Sequence, residues 1–328
     1  MTIRPGTHSD IPAIIKLLKL SLGEGLMPKS EKYWQWKHVD NPFGESPVLL
    51  AFEGQELVGV RAFMRWRWTN GIETVEAIRA VDTATHPDHQ GKGIFKKLTL
   101  AALDHCKEMG INMVFNTPNE KSMPGYIKMG WVKAGKLPIG IKILSPFKMA
   151  FNYIKNKKAS GSGYELLGKE NNELIDVIDH SNPEKYIGLT GYLPGIWRTV
   201  YSNEYIKWRY AKVPVAKYFS ITDSGLYINY RVKENRWGKE LRICDIFAAK
   251  GVNKSDINKA IKSEAKNIKA VAITFGSVEH YPGKKLISAT MNPSIGPIVT
   301  WRHIQEVNEK EWLDFNQWSP SLGDLELF

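Results

Sequence analysis

The chain has 328 residues, 43% of them hydrophobic, and a formal net charge of +11. That length allows two domains of ordinary size and that apolar content allows a real core, so a disordered chain is excluded. No apolar run approaches the roughly 20 residues of a membrane-crossing helix, and no signal-peptide-like stretch follows Met1-Thr2-Ile3-Arg4-Pro5.

The two cysteines, Cys106 and Cys244, each sit among apolar neighbours, which predicts buried free thiols in a reducing compartment and a cytoplasmic location. The positive charge favours anionic partners: cofactor phosphates, a sugar nucleotide, RNA or an anionic membrane. The excess is concentrated, because Lys121–Tyr164 holds nine lysines and no acid. A merely solvated basic face explains it equally well.

Residues 7–20 read as a first helix, with Ser9 as cap, Asp10 in the first turn and Ile11, Ile14, Ile15 and Leu18 in one stripe. Ser30–His38 is aromatic-rich and ends at the turn Asn41-Pro42-Phe43-Gly44. A meander follows: Val48–Phe52, Leu57–Trp68 and Glu73–Thr85, the last two joined at the hairpin signal Asn70-Gly71. Ile94–Met109 reads as a helix with Phe95, Leu98, Ala102, Cys106 and Met109 on one face, and Met113–Asn116 as a strand.

Between the third meander strand and that helix lies His86-Pro87-Asp88-His89-Gln90-Gly91-Lys92-Gly93-Ile94-Phe95. A strand, a glycine turn and a helix start make an anion site, because the first backbone N–H groups of a helix are unpaired and the dipole adds positive charge. Gly91 and Gly93 permit positive φ and remove Cβ atoms that would block a phosphate, and Lys92 adds a cation. The spacing is neither that of a P-loop nor Gly-x-Gly-x-x-Gly.

Gln90-Gly91-Lys92-Gly93, with Ile94 and Phe95 following, resembles the pyrophosphate loop of the GNAT N-acetyltransferase superfamily, Gln/Arg-x-x-Gly-x-Gly/Ala, in the form with the polar residue directly before the first glycine. Gly125-Tyr126-Ile127-Lys128-Met129-Gly130-Trp131 is similar to that family's Leu-Tyr-x-x-x-Gly-Phe segment. The resemblance spans about residues 1–135. It implies a mixed, mostly antiparallel sheet flanked by helices, with acetyl-CoA as co-substrate and a small amine as acceptor. It assigns Val81, Thr83, Gln90, Gly91, Lys92, Gly93, Ile94, Phe95, Asn119 and Tyr126 to the cofactor, and makes Tyr126 the acid that protonates the departing thiolate. A phenol of pKa about 10 suits a thiolate of similar basicity.

For the base the candidates are Asp82 and Glu76. Asp82 shares a strand face with Ile78, Ala80 and Ala84, where an acid invites a raised pKa. Yet Arg242 and Asp245 repeat the spacing of Arg79 and Asp82 in a stretch with no phosphate loop, which argues for a structural pair. Some related tandem enzymes are thought to use the terminal carboxylate, here that of Phe328. Direct transfer to a neutral amine needs no base. Without His-x-x-x-His or Cys-x-x-Cys, no metal site is expected. His86 and His89 read as phosphate contacts or as solvated turn residues.

Lys155–Gly163 has linker composition. Beyond it Tyr205-Ile206-Lys207-Trp208-Arg209-Tyr210 echoes Tyr33-Trp34-Gln35-Trp36-Lys37-His38, and Leu241–Ile246 echoes Ile78–Thr83. A helix (Lys254–Lys266) and a strand (Ala270–Phe275) follow. The expected organisation is an acetyl-CoA-binding domain over 1–145, a basic linker over 146–164 and a degenerate GNAT-like copy over 165–328. Pro146–Lys158 reads either as a basic amphipathic helix touching a membrane surface or as a helix leading into the linker. Two rival functions fit the charge and the paired halves: a tRNA-dependent aminoacyl transferase, although nucleic acid is not the expected partner, and a non-catalytic acyl-CoA sensor.

Overall fold

The computed structural model describes residues 1–23, 28–137, 139–156, 194–223, 225–249, 251–276, 296–305 and 314–325. Most of the linker stretch and the carboxylate of Phe328 lie outside these residues. The chain forms two compact units, one of Met1–Gly135 with Pro297–Gln317, the other of Lys136–Gly296 with Trp318–Leu327.

In chain order the first unit opens with β1 (Thr2–Pro5), α1 (Ile11–Leu22), α2 (Glu31–Trp34), β2 (Val48–Glu53), β3 (Glu56–Thr69) and β4 (Thr74–Thr85). It continues with α3 (Ile94–Glu108), β5 (Met113–Asn116), α4 (Met123–Lys128) and β6 (Val132–Lys136). Then come β7 (Ile139–Ile143), α5 (Pro146–Lys155), β8 (Arg198–Thr199), α6 (Asn203–Ile206), β9 (Phe219–Asp223), β10 (Leu226–Asn235), β11 (Gly238–Ala248), α7 (Lys254–Asn267) and β12 (Ala272–Gly276). The late strand β13 (Ile298–His303) returns to the first unit.

The first sheet runs β1-β2-β3-β4-β5-β13-β6. The pairs from β1 to β4 are antiparallel, β4 and β5 are parallel, and β13 lies antiparallel on β5. The parallel step is the one that needs a crossover helix, and α3 supplies it. Each face is covered: Ile94, Leu98, Ala102 and Cys106 of α3 pack with Phe63, Ile78 and Val114, and Ile14, Leu17 and Leu18 of α1 pack with Val60 and Ala62. Alternate residues of β3 thus serve opposite cores. At Gly59 an added Cβ would come within 2.8 Å of Ile94 Cγ2 and of Leu98 Cδ1, so the glycine is what seats α3 so close to β3.

The second sheet runs β7-β12-β11-β10-β9. It has the same local plan: an antiparallel meander, a helix (α7) and a parallel strand, with β12 alongside β11. A second echo is equally close. In both units a serine caps a one-turn helix, Ser30 accepting from Tyr33 N and Ser202 from Tyr205 N, and the helix then widens into a π-turn closed by Asp40 N–H to Gln35 O and Lys212 N–H to Lys207 O.

Two features differ from the sequence reading. The first helix is capped by Thr7 and Asp10, not Ser9: the Asp10 carboxylate accepts from Thr7 N–H and Thr7 Oγ1, both at 2.8 Å, and Arg4 ion-pairs with it at 2.7 Å. The domain boundary is not a single cut at 145–164, because β7 joins the second sheet and β13 the first. What holds β13 in the first unit is local chemistry. Thr300 Oγ1 donates to Asn116 Oδ1 at 2.5 Å, Arg302 Nη1 donates to Met129 O at 2.7 Å, and Trp301 is buried. The two cysteines are free and buried as expected.

Candidate active site

The anion loop has the predicted form. Gly91 and Gly93 adopt φ of 76° and 74°, and Gly93 is the N-cap of α3. A Cβ at either would meet nothing within 4 Å, so the space beside them is open and the positive φ is what demands glycine. Ile94 and Leu98 lock the start of α3 onto the sheet, which fixes where its free N–H groups point. The loop borders a cavity of about 490 Å³ lined by Thr83, Gln90, Gly91, Gly93, Phe95 and Lys96, among others. Lys92 lies beside His89, Nζ to Nδ1 at 3.4 Å.

Two irregularities of β4 shape the wall. Its register against β3 slips between Arg61 and Phe63, which face Thr83 and Ala80, so a bulge falls at Val81–Asp82. Its pairing with β5 covers Ala77 to Arg79 alone, so the last six residues of β4 run on without β5 at their side. The strands part beside the loop.

Tyr126 on α4 is buried, edge-on to Phe95 with ring centroids 5.6 Å apart and against Trp131 at 5.1 Å. Phe95 also lines the cavity. The Tyr126 oxygen accepts a hydrogen bond from Arg61 Nη1 at 3.0 Å. Arg61 is wholly buried among the rings of Phe63, Phe95 and Tyr126, and its Nε and Nη2 have no hydrogen-bond partner among the described residues. Ring faces compensate a guanidinium only in part, so this buried cation is costly unless it has work to do. Sequence reasoning missed Arg61. The signal was there: a lone arginine inside the apolar run Val58–Met64.

The other predicted residues fall differently. Asp82 is an ion-pair anchor: its carboxylate accepts from Lys37 Nζ at 2.8 Å and His38 Nε2 at 2.9 Å. Burial would raise its pKa, but the Lys37 charge and the His38 hydrogen bond prevail and hold it well below the usual carboxylate range. A carboxylate held that way does not take a proton near neutral pH, so Asp82 is set aside as base. Burial pushes the His38 imidazole down, so it is neutral, with Nε2–H toward Asp82 and Nδ1 accepting from Ser46 Oγ at 2.9 Å.

Glu76 is gripped by Arg65 Nη2 at 2.8 Å and Arg67 Nε at 2.6 Å at the far end of β4, roughly 20 Å along the strand from Thr83. Asn119 accepts from Lys121 N and Ser122 N, shaping the turn before α4 and not the loop. His86 and His89 face carboxylates, His89 Nδ1 being 3.3 Å from Glu53 and His86 Nε2 3.8 Å from Glu56.

A glycine turn feeding a helix N-terminus, beside a bulged strand that parts from its neighbour, makes an anion-binding site in an α/β domain. Residues 2–134 match the family model described as "Acetyltransferase (GNAT) domain". Over 101 residues the chain is 31% identical to the L-amino acid N-acyltransferase MnaT of Escherichia coli, covering 29% of this chain and 56% of that protein. It is 29% identical to the L-methionine sulfoximine/L-methionine sulfone acetyltransferase of Salmonella typhimurium, again over 101 residues, 29% of this chain and 57% of that one. The chain thus spans a little over half the length of the curated relatives it matches.

Solved structures share the fold more widely. A GCN5-related N-acetyltransferase from Kribbella flavida superposes with a TM-score of 0.61 at 12% identity, covering 92% of this chain and 71% of that one. A probable N-acyltransferase from Enterococcus faecalis gives 0.62 at 10% identity, covering 92% and 72%.

Proposed function

We propose that the protein transfers an acetyl or other acyl group from its coenzyme A thioester to the primary amine of a small acceptor, in the reducing cytoplasm. The observation that carries this reading is the open glycine turn at the N-terminus of α3 with Tyr126 one ring away. The residues fit the donor. Unpaired N–H groups, Lys92 and Lys96 suit a pyrophosphate, and the parting of β4 from β5 leaves an edge for an extended pantetheine arm.

In the chemical step the amine nitrogen bonds to the carbonyl carbon and the carbon–sulfur bond breaks. Arg61 donates to the Tyr126 oxygen, so the phenolic proton is left to go to the departing thiolate, and the guanidinium offsets the charge left on the phenol oxygen. With Asp82 and Glu76 both engaged by cations, the acceptor amine enters neutral and gives its proton to water.

The basic composition suits an anionic acceptor such as a phosphorylated amine or an amino-sugar nucleotide, while the two curated relatives bear names of amino-acid acyltransferases. Both classes belong in the first panel. The second unit, with its repeated meander and π-turn but no glycine loop after Asp245, reads as a degenerate copy that does not bind the donor.

Free-thiol release from acetyl-CoA across that panel tests the activity, and calorimetry tests the site. Gly93→Val places a β-branched residue at positive φ and a side chain in the anion's space, and should weaken coenzyme A binding by well over tenfold. Unchanged affinity in a folded variant would remove the loop from the site.

A further inference from the structure

In the second unit α5 is mounted with its polar side inward. Asn152 Nδ2 donates to Trp237 O at 2.9 Å and Asn156 Nδ2 to Arg236 O at 3.3 Å, at the β10–β11 turn. The Tyr153 ring stacks on Trp237 at 4.7 Å, with the Arg236 guanidinium 4.5 Å from one ring and 4.6 Å from the other. The opposite face carries Phe147, Phe151 and Ile154, spaced at i, i+4 and i+7, and they are 90%, 65% and 70% exposed. A surface helix ordinarily turns such a stripe to the core. Here the fixings lie on the other side, so the stripe is held in solvent, and a contiguous exposed apolar row marks a surface made to be covered.

Its surroundings say by what. Lys148 flanks the stripe and, with Lys262, Lys266 and Lys269, lines a shallow depression that has no acid among its lining residues. Lys155 ends the helix. Bulky apolar side chains in a row, flanked by a cluster of lysines, match the interface of an anionic bilayer, where rings enter the acyl boundary and ammonium groups meet phosphates. A protein partner would need acids facing four lysines around a narrow apolar ridge. A second copy would set two cationic faces against each other.

We propose that α5 and the lysine-lined depression beside it form a docking face for anionic phospholipid surfaces, holding the protein reversibly at a membrane. With one short helix and a few lysines the attachment is weak and salt-dependent.

Flotation with vesicles of 70% phosphatidylcholine and 30% phosphatidylglycerol tests this on the full chain. Binding is expected at about 0.1 M salt, with loss in pure phosphatidylcholine vesicles and at high salt. Phe147→Ser with Phe151→Ser should lower the partition by about tenfold per ring, and Lys262→Ser with Lys266→Ser by about fivefold per lysine. All four side chains are surface groups, so a melting temperature equal to wild type certifies the fold. Wild-type protein that stays with the soluble fraction, or a double-serine ring variant that floats like wild type, overturns the proposal. So does a wild-type dimer in sedimentation that the ring variant dissociates, since the occupant is then a second copy.

Discussion

Tyr126 and Arg61 sit 65 positions apart in the chain and meet across the first sheet at 3.0 Å. Their pairing makes the acid hypothesis more specific than the sequence could. Tyr126→Phe should leave acetyl-CoA affinity nearly intact and lower kcat by about 10²–10⁴-fold. It also strips Arg61 of its described hydrogen bond, so a loss of about 1–3 kcal/mol in stability is expected with it. Arg61→Met should lower kcat as well, and that loss should disappear in the Tyr126→Phe background, since the arginine acts through the phenol. Steady-state kinetics of the two single variants and the double variant measures the coupling. Wild-type kcat in Tyr126→Phe would return the ring to a packing role. The positive-φ turn at Gly91 and Gly93 and the helix start after it were legible because both are local. The capture of Asp82 by Lys37 and His38 was not, since those partners come from a helix about 45 residues earlier.

At the scale of elements, α3 carries the anion loop and is seated by the absence of a side chain at Gly59. Gly59→Val drives its branches into Ile94 and Leu98 and should cost about 1–3 kcal/mol. Because the loop moves with its helix, coenzyme A affinity should fall in the same variant. Calorimetry alongside thermal melting checks whether the two losses travel together.

The second unit stores a pH response where β11 meets the chain end. Asp324 is buried, with Thr199 Oγ1 donating to it at 2.7 Å and Ser321 N at 2.7 Å. Nearby Asp245 accepts from Tyr201 at 2.9 Å and from Tyr210. Burial first, and then the Asp245 charge, pushes the Asp324 carboxyl up to about 7. With a folded pKa above the unfolded one, its contribution is fully present below about pH 4 and is lost as pH rises through 7. Folding should therefore be less favourable at pH 8.5 than at pH 6, by on the order of 1 kcal/mol from this group, and the melting temperature should be lower. Asp324→Asn should flatten that dependence, and an unchanged slope would locate it elsewhere.

For the molecule as a whole, the return of β13 to the first sheet means that the first unit is not a contiguous piece of chain. Truncation after residue 140 removes β13, leaving the β5 and β6 edges open and Asn116 without Thr300. That fragment should be poorly soluble or only partly folded, because an open strand edge pairs with other chains. Size-exclusion chromatography and circular dichroism of the fragment decide it, and a monomeric, cooperatively melting fragment would show that β13 is dispensable.

What the sequence determined by itself is what short-range physics specifies: the meander and its Asn70-Gly71 turn, the amphipathic α3, the glycine loop, and an echo of the first half in the second. The Ser30–His38 and Ser202–Tyr210 segments adopt one shape because each encodes its own cap and aromatic spacing. Tertiary structure alone decided the rest. It put β13 beside β5, Arg61 under Tyr126, Lys37 and His38 on Asp82 and the apolar face of α5 toward solvent. Each of those depends on contacts between residues far apart in the chain, where hydrophobic pattern and local spacing say that a side chain is buried or paired but not with what.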